Sequence, residues 1–243
     1  MSLKTAARFN NSGVANWPER FADLASKAQD PRLIDYYQQG VVSGDTPLSE
    51  VPFVALDFET TGLDSQNDAI LTIGLVPFSL QRIRCKESAH WVINPHREMN
   101  EESVIIHGIT DSDVKQAPDL NIVLEEVLNA LAGKVVVVHY KKIEREFIHQ
   151  ALLVRLAEGI EFPVIDTLDL EAFVQREQCK GWLNWLKGKK PGSVRLAHAR
   201  ERYGLPAYAP HHALTDALAT AELWQAQVAY HFEPSMPIKL LWQ

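Results

Sequence analysis

The most constraining stretch of this 243-residue chain reads Val54-Ala55-Leu56-Asp57-Phe58-Glu59-Thr60-Thr61-Gly62. An apolar run, the pattern of a buried strand, ends in two carboxylates two positions apart and then in a turn. Side chains at i and i+2 of a strand leave the same face, roughly 7 Å apart. Asp57 and Glu59 are therefore aimed at one region of space from a rigid support. Two like charges held that close repel unless a proton or a cation neutralises them. Mg²⁺ or Mn²⁺, which prefer oxygen ligands, would do so. An exposed strand end with a polar face is the other reading, and the pair by itself is even between the two.

A regular alternation surrounds that strand. The pattern predicts strands over 51–57, 69–78 and 87–93. It predicts a helix over 121–131, whose apolar residues fall at 123, 124, 127, 128 and 131. A strand at 134–138, a helix at 142–157, a short strand at 164–165 and an Ala- and Leu-rich helix at 214–228 complete the series. Three antiparallel strands followed by helix–strand alternation give an α/β fold, a mixed sheet with helices on both faces. Ahead of it, residues 17–25 and 30–37 read as two short helices, the first with Pro at its first turn. The Gly, Asp, Pro and Ser residues of 40–50 read as a linker. Trp17, Phe21, Leu24, Tyr36 and Tyr37 need burial, so this appendage should pack on the main body. The expected organisation is a helical extension and linker at 1–48, a main domain at 49–232 and a short tail at 233–243.

Composition removes several classes of protein. Hydrophobic residues make up 46% and charged residues 23%, enough for an ordinary core without staples. Cys85 and Cys179 are far apart and form neither a disulfide framework nor a zinc signature. Residues 1–16 lack a continuous apolar segment, and no stretch reaches the length of a membrane span, so a cytoplasmic protein is expected. The net charge of −7 argues against binding nucleic acid over the whole surface. One local basic run remains: Lys180, Lys187, Lys189, Lys190, Arg195, Arg200 and Arg202 against Glu201. Trp182 and Trp185 stand within it. Aromatic faces beside cations suit a single strand of nucleic acid, although tryptophans three apart also pack together in cores.

Three other segments hold chemistry-bearing residues. In the first, His139 to Ile148, Glu144 shares a helix face with the apolar Phe147 and Ile148. That places an acid on the buried side, which is costly unless it is paired or linked to metal. In the second, Pro210-His211-His212-Ala213-Leu214-Thr215-Asp216 opens a helix whose alanines permit close approach to the sheet. Asp216 can then look toward the strand ends, with a histidine on the preceding loop within reach. The third, Ile106-His107-Gly108-Ile109-Thr110, is weak by itself.

Taken together, Asp57-x-Glu59-Thr60-Thr61-Gly62, Ile106-His107-Gly108-Ile109-Thr110, His139 with Glu144-x-x-Phe147, and His211-x-Ala213-Leu214-x-Asp216 resemble the DEDDh 3′–5′ exonucleases. That family includes the epsilon subunit of bacterial DNA polymerase III, RNase T and oligoribonuclease. The resemblance spans about residues 51–230. It implies the RNase H-like exonuclease fold, with a mixed five-stranded sheet. It implies that Asp57, Glu59, Glu144 and Asp216 match the four metal-site acids and bind two divalent cations, Mg²⁺ or Mn²⁺. His211, five residues before Asp216, matches the general base, and His212 is its neighbour. Thr60, Thr61, Gly62 and Leu63 match the turn that receives the terminal nucleotide, and His107 a position near the substrate base or sugar. The implied partner is a single-stranded 3′ end, DNA favoured over RNA, with a polymerase or a second copy of the chain as a further partner.

One departure stands out. The family's second motif carries Asp in an H-N-A-x-F-D context, whereas this chain has His139-Tyr140-Lys141-Lys142-Ile143-Glu144. Glu is one methylene longer, and an overshoot of roughly 1 Å is enough to cost a large factor in rate. Mg²⁺ tolerates misplacement less than Mn²⁺. The expectation is therefore reduced activity or a Mn²⁺ preference. A nucleic-acid-binding or polymerase-associated scaffold of the same fold, weakened in catalysis, is the alternative.

Overall fold

The structure is a computed structural model that describes residues 9, 16–96, 111–180 and 190–243. Five strands form one mixed sheet in the order β3-β2-β1-β4-β5. They are β1 Phe53–Thr60, β2 Ile70–Phe78, β3 Ala89–Val92, β4 Val135–Val138 and β5 Val164–Asp166. β1 pairs antiparallel with β2, and β2 with β3, while β1–β4 and β4–β5 are parallel. β4 is an unbroken run of valines, and every residue of β2 is buried. Such strands read as continuous apolar runs because both faces are covered.

The sheet is flanked by α1 Trp17–Lys27, α2 Pro31–Gln38, α3 Asp111–Gln116, α4 Leu120–Leu131, α5 Lys141–Leu156, α6 Thr167–Cys179, α7 Leu196–Arg202 and α8 Ala213–His231. The mixed sheet and flanking helices are those the sequence pattern implies. α3, α6 and α7 have no counterpart in the expected series. α6 carries charges through most of its length, and its start is set by a cap, which periodicity does not report.

β1 runs three residues beyond its expected end at 57, so both carboxylates stand inside the ladder. Asp57 lies opposite Gly74 and Glu59 opposite Thr72, and the register slips between Glu59 and Thr60. α8 covers the face that carries them. Phe53, on that face, meets Trp224 of α8 with ring centroids 5.8 Å apart. Gly74 sits directly beneath the start of α8: a Cβ there would lie 2.2 Å from the carbonyl carbon of Ala213. Only glycine permits this approach, and Ala213, Ala217 and Ala221 complete the close packing.

Trp17, Phe21, Tyr36 and Tyr37 of the two N-terminal helices belong to the same buried cluster as the sheet. Arg20 grips Glu161 through Nε at 3.0 Å and Nη2 at 2.5 Å. At the other end, Trp242 is buried, and the backbone of Gln243 exchanges both hydrogen bonds with Val164 of β5, at 3.2 and 2.8 Å. The C-terminal segment thus covers an edge strand. Among the described residues no helix is long and apolar enough to cross a membrane.

Candidate active site

β1 and α8 bring three of the anticipated acids to one point. One carboxylate oxygen from each of Asp57, Glu59 and Asp216 lies within 4.8 Å of the others. Asp57 is partly exposed, Glu59 is buried, and Asp216 sits in the first turn of α8. Burial, followed by the charges of Glu144, Glu59 and Asp216, holds the Asp57 carboxyl well above the ordinary carboxylate range. Burial also raises Asp216, with Glu59 adding to it, against the opposing effect of the His211 N–H. A three-carboxylate oxygen set under such mutual repulsion is the donor chemistry that a hard divalent cation satisfies.

Glu144 stands apart from that trio. It is 2% exposed in the first turns of α5, and its Oε2 has no hydrogen-bond partner among the described residues. Burial raises its carboxyl strongly, and the charge of Asp166 adds to the effect. An unpaired buried carboxylate is expensive, so this group too fits a cation or a proton.

His211 lies on the exposed loop before α8 and adopts φ +68°. Its backbone N–H donates to Asp216 Oδ2 at 2.9 Å. A left-handed conformation at a non-glycine residue is a stored strain, of the kind retained at functional sites. Several contacts fix the loop that delivers it. Arg200, 3% exposed, donates to the carbonyls of Ala219 and Pro206 at 2.5 and 2.9 Å and to Glu222 at 2.7 Å. The ring of Tyr208 lies 4.6 Å from its guanidinium carbon, and the Tyr208 hydroxyl donates to Glu222 at 3.0 Å.

The turn after β1 is a compact unit built on Asp68. Thr61 Oγ1 donates to Asp68 Oδ1 at 3.0 Å, and the Asp64 N–H donates to Oδ2 at 3.0 Å. A Cβ on Gly62 would stand 2.4 Å from that carboxylate, which explains the glycine. Thr60 Oγ1 donates to Gly62 O at 2.6 Å, while the Thr61 N–H is committed to Ala69 O. Leu63 projects into solvent at 81% exposure. His107, and with it the Ile106–Thr110 motif, lies outside the described residues, as do Trp182, Trp185, Lys187 and Lys189.

Two participants escaped the sequence pattern. Asp166 accepts the N–H groups of Tyr140 and Lys141 at 3.0 and 2.9 Å, and also that of Leu168 at 3.0 Å. One buried carboxylate thereby caps the starts of both α5 and α6. His90 lies in register with Gly74 and so with Asp57, and its ring stacks on His212 with centroids 4.9 Å apart. His90 has no local sequence signal, since its place depends on pairing between strands, and although Asp166 reads locally as a helix cap, its reach to α5 depends on the pairing of β4 with β5. His139 does not turn toward the acids. Its ring nitrogens meet Thr167 Oγ1 at 2.8 Å and Val194 O at 2.9 Å, which ties α6 and the segment before α7 to β4.

This geometry agrees with the comparisons to known proteins. The model of the RNase_T family, described as Exonuclease, matches residues 54–224. The chain therefore belongs to the exonuclease family, and its fold and motifs are those of the DEDDh group. Among its relatives, DNA polymerase III PolC-type of Thermotoga maritima is 33% identical over 185 residues, covering 75% of this chain and 12% of that protein. DNA polymerase III subunit epsilon of Treponema pallidum is 28% identical over 181 residues, covering 74% and 78%. The chain thus spans about an eighth of the PolC-type polymerases it matches. Among solved structures, the nuclease domain of 3′hExo, a DEDDh family member bound to rAMP, superposes with a TM-score of 0.57 at 14% identity, covering 74% of this chain and 92% of that one.

Proposed function

We propose that this protein is a metal-dependent 3′–5′ exonuclease that removes nucleoside 5′-monophosphates from single-stranded 3′ ends in the cytoplasm. The convergence of Asp57, Glu59 and Asp216 within 4.8 Å carries the reading. These three residues, with Glu144 behind them, would hold two divalent cations, Mg²⁺ or Mn²⁺, which supply charge neutralisation and Lewis acidity at the phosphate. His211 takes the proton of the attacking water. The water oxygen bonds to phosphorus, the bond to the leaving 3′ oxygen breaks, and that oxygen picks up a proton. The Thr60–Leu63 turn and His107 receive the terminal nucleotide. The DNA polymerase III relatives favour DNA over RNA, with a polymerase as the partner. The rAMP bound to the 3′hExo domain is a nucleoside monophosphate, the product class proposed for this chain.

One observation favours a second reading, a scaffold of the same fold weakened in catalysis: Glu144 falls outside the three-acid group. Incubation of 5′-labelled single-stranded DNA and RNA with Mg²⁺ or Mn²⁺ decides between them. Stepwise shortening from the 3′ end, abolished by Asp57→Asn, is the expected result. Glu144→Asp should raise the Mg²⁺ rate relative to the Mn²⁺ rate. No shortening in either metal at high enzyme concentration would leave the scaffold reading in place.

A further inference from the structure

Tyr140, between β4 and α5, combines two properties that normally exclude each other. Its backbone sits at φ +97°, ψ +70°, yet it is neither glycine nor asparagine. Its side chain is 44% exposed, so burial in the core does not compensate for the strain. Such a conformation costs of order 1–3 kcal/mol and persists only where the surroundings over-determine it. Here Asp166 supplies that determination, with one oxygen on the Tyr140 N–H and the other on the Lys141 N–H.

The location is informative. β1 and β4 run parallel with Ala55 beside Val137, so two residues onward Asp57 and His139 reach the same level of the sheet. Tyr140 follows directly on the rim that carries the acids, about 6 Å along the helix axis from Glu144. Tyr140 lines a cavity of about 270 Å³ together with Lys142 and Arg145 and with the acids Glu146, Asp166 and Asp169. Lys142 is exposed, and its charge reaches the turn after β1. The Asp64 carboxyl there is held below its ordinary range by Asn67, by backbone N–H groups and by the Lys142 charge. Near two of the segments that deliver the acids, β1 and the start of α5, a large side chain stands exposed: Leu63 and Tyr140.

We infer that Tyr140 is a stacking platform for a base of the substrate strand near its 3′ end, with Lys142 beside it for the adjoining phosphate. The inference rests on the exonuclease reading for the identity of the strand. An aromatic face beside a cation is the arrangement that holds single strands without regard to sequence. Tyr140 is a strand-binding residue here rather than one that takes part in the chemistry.

Direct binding tests this, with Ca²⁺ replacing Mg²⁺ to suppress turnover. Single-stranded oligonucleotides carry 2-aminopurine at one of their last three positions. The wild-type protein should quench one of these probes. Tyr140→Phe should preserve both quenching and affinity, and Tyr140→Ala should lose the quench and bind about 5- to 100-fold more weakly. Tyr140→Gly, which takes φ +97° without strain, should keep or raise Tm while binding as weakly as the alanine variant. Unchanged affinity in Tyr140→Ala would overturn the inference. So would a lower Tm in Tyr140→Gly, the mark of a purely structural tyrosine. The exonuclease reading is judged separately, by nucleotide release from the wild-type protein in Mg²⁺ or Mn²⁺. A protein that binds and quenches without release would retain the platform and lose the enzyme.

Discussion

At the scale of single residues, Asp57 stands under strong electrostatic stress. Burial and three neighbouring acids raise its carboxyl, and Glu144 is raised as well. For a carboxyl raised in the folded state, the associated stability is complete below the ordinary carboxylate range. It is lost as pH climbs through the raised value. The metal-free wild-type protein should therefore weaken relative to Asp57→Asn as pH rises from the ordinary carboxylate range into the neutral range. The Tm gap in favour of the variant should widen across that interval in EDTA and reverse sign with saturating Mn²⁺. A gap that stays flat in EDTA would mean that the acids do not share a field. The neighbouring residues divide the remaining work. His211 accepts strain at φ +68°, Gly62 yields space to Asp68, and Asp166 uses one carboxylate for two helix starts.

At the scale of elements, the site depends on how closely α8 lies on β2. A methyl group at Gly74 would meet the Ala213 backbone, which cannot rotate aside as a side chain can. Gly74→Ala should push the start of α8 off the sheet, costing about 1–3 kcal/mol of stability. A displacement of about 1 Å at His211 and Asp216 is worth roughly 100-fold in rate. Thermal melts and nucleotide-release rates check the two effects independently, and a variant with wild-type rate would show that the helix can move without its acids. The same elements explain how much was legible in the sequence. β2, β4 and α5 announce themselves through apolar period, whereas Asp57, Glu59, His211 and Asp216 stand out only as a set that resembles the DEDDh motifs. The extension of β1 to Thr60 was not visible, because Glu59 and Thr60 look like a turn until pairing with β2 is known. α6 begins at the Asp166 cap and buries Thr167, Glu171 and Gln175 beside Leu170 and Val174, which blurs its apolar period. Asp166 and His90 enter the site only through strand pairing, and the Arg200–Glu222–Tyr208 contacts only through the folding of α7 onto α8.

At the scale of the molecule, the acids stand where β1, α5 and α8 meet, and Asp166 extends that junction to α6. The N-terminal helices and the C-terminal segment reinforce the frame from the β5 side: Arg20 holds Glu161, and Gln243 pairs with Val164. Elements far apart in sequence therefore share one electrostatic load. The charge of Asp166 raises Glu144, so a cation that neutralises Glu144 also relieves the carboxylate that fastens two helix N-termini. In the language of amide hydrogen exchange, ion binding becomes visible away from the ion. The protons on the nitrogens of Tyr140, Lys141 and Leu168 should exchange more slowly once Mn²⁺ or Mg²⁺ is added, as local opening of both helix starts becomes rarer.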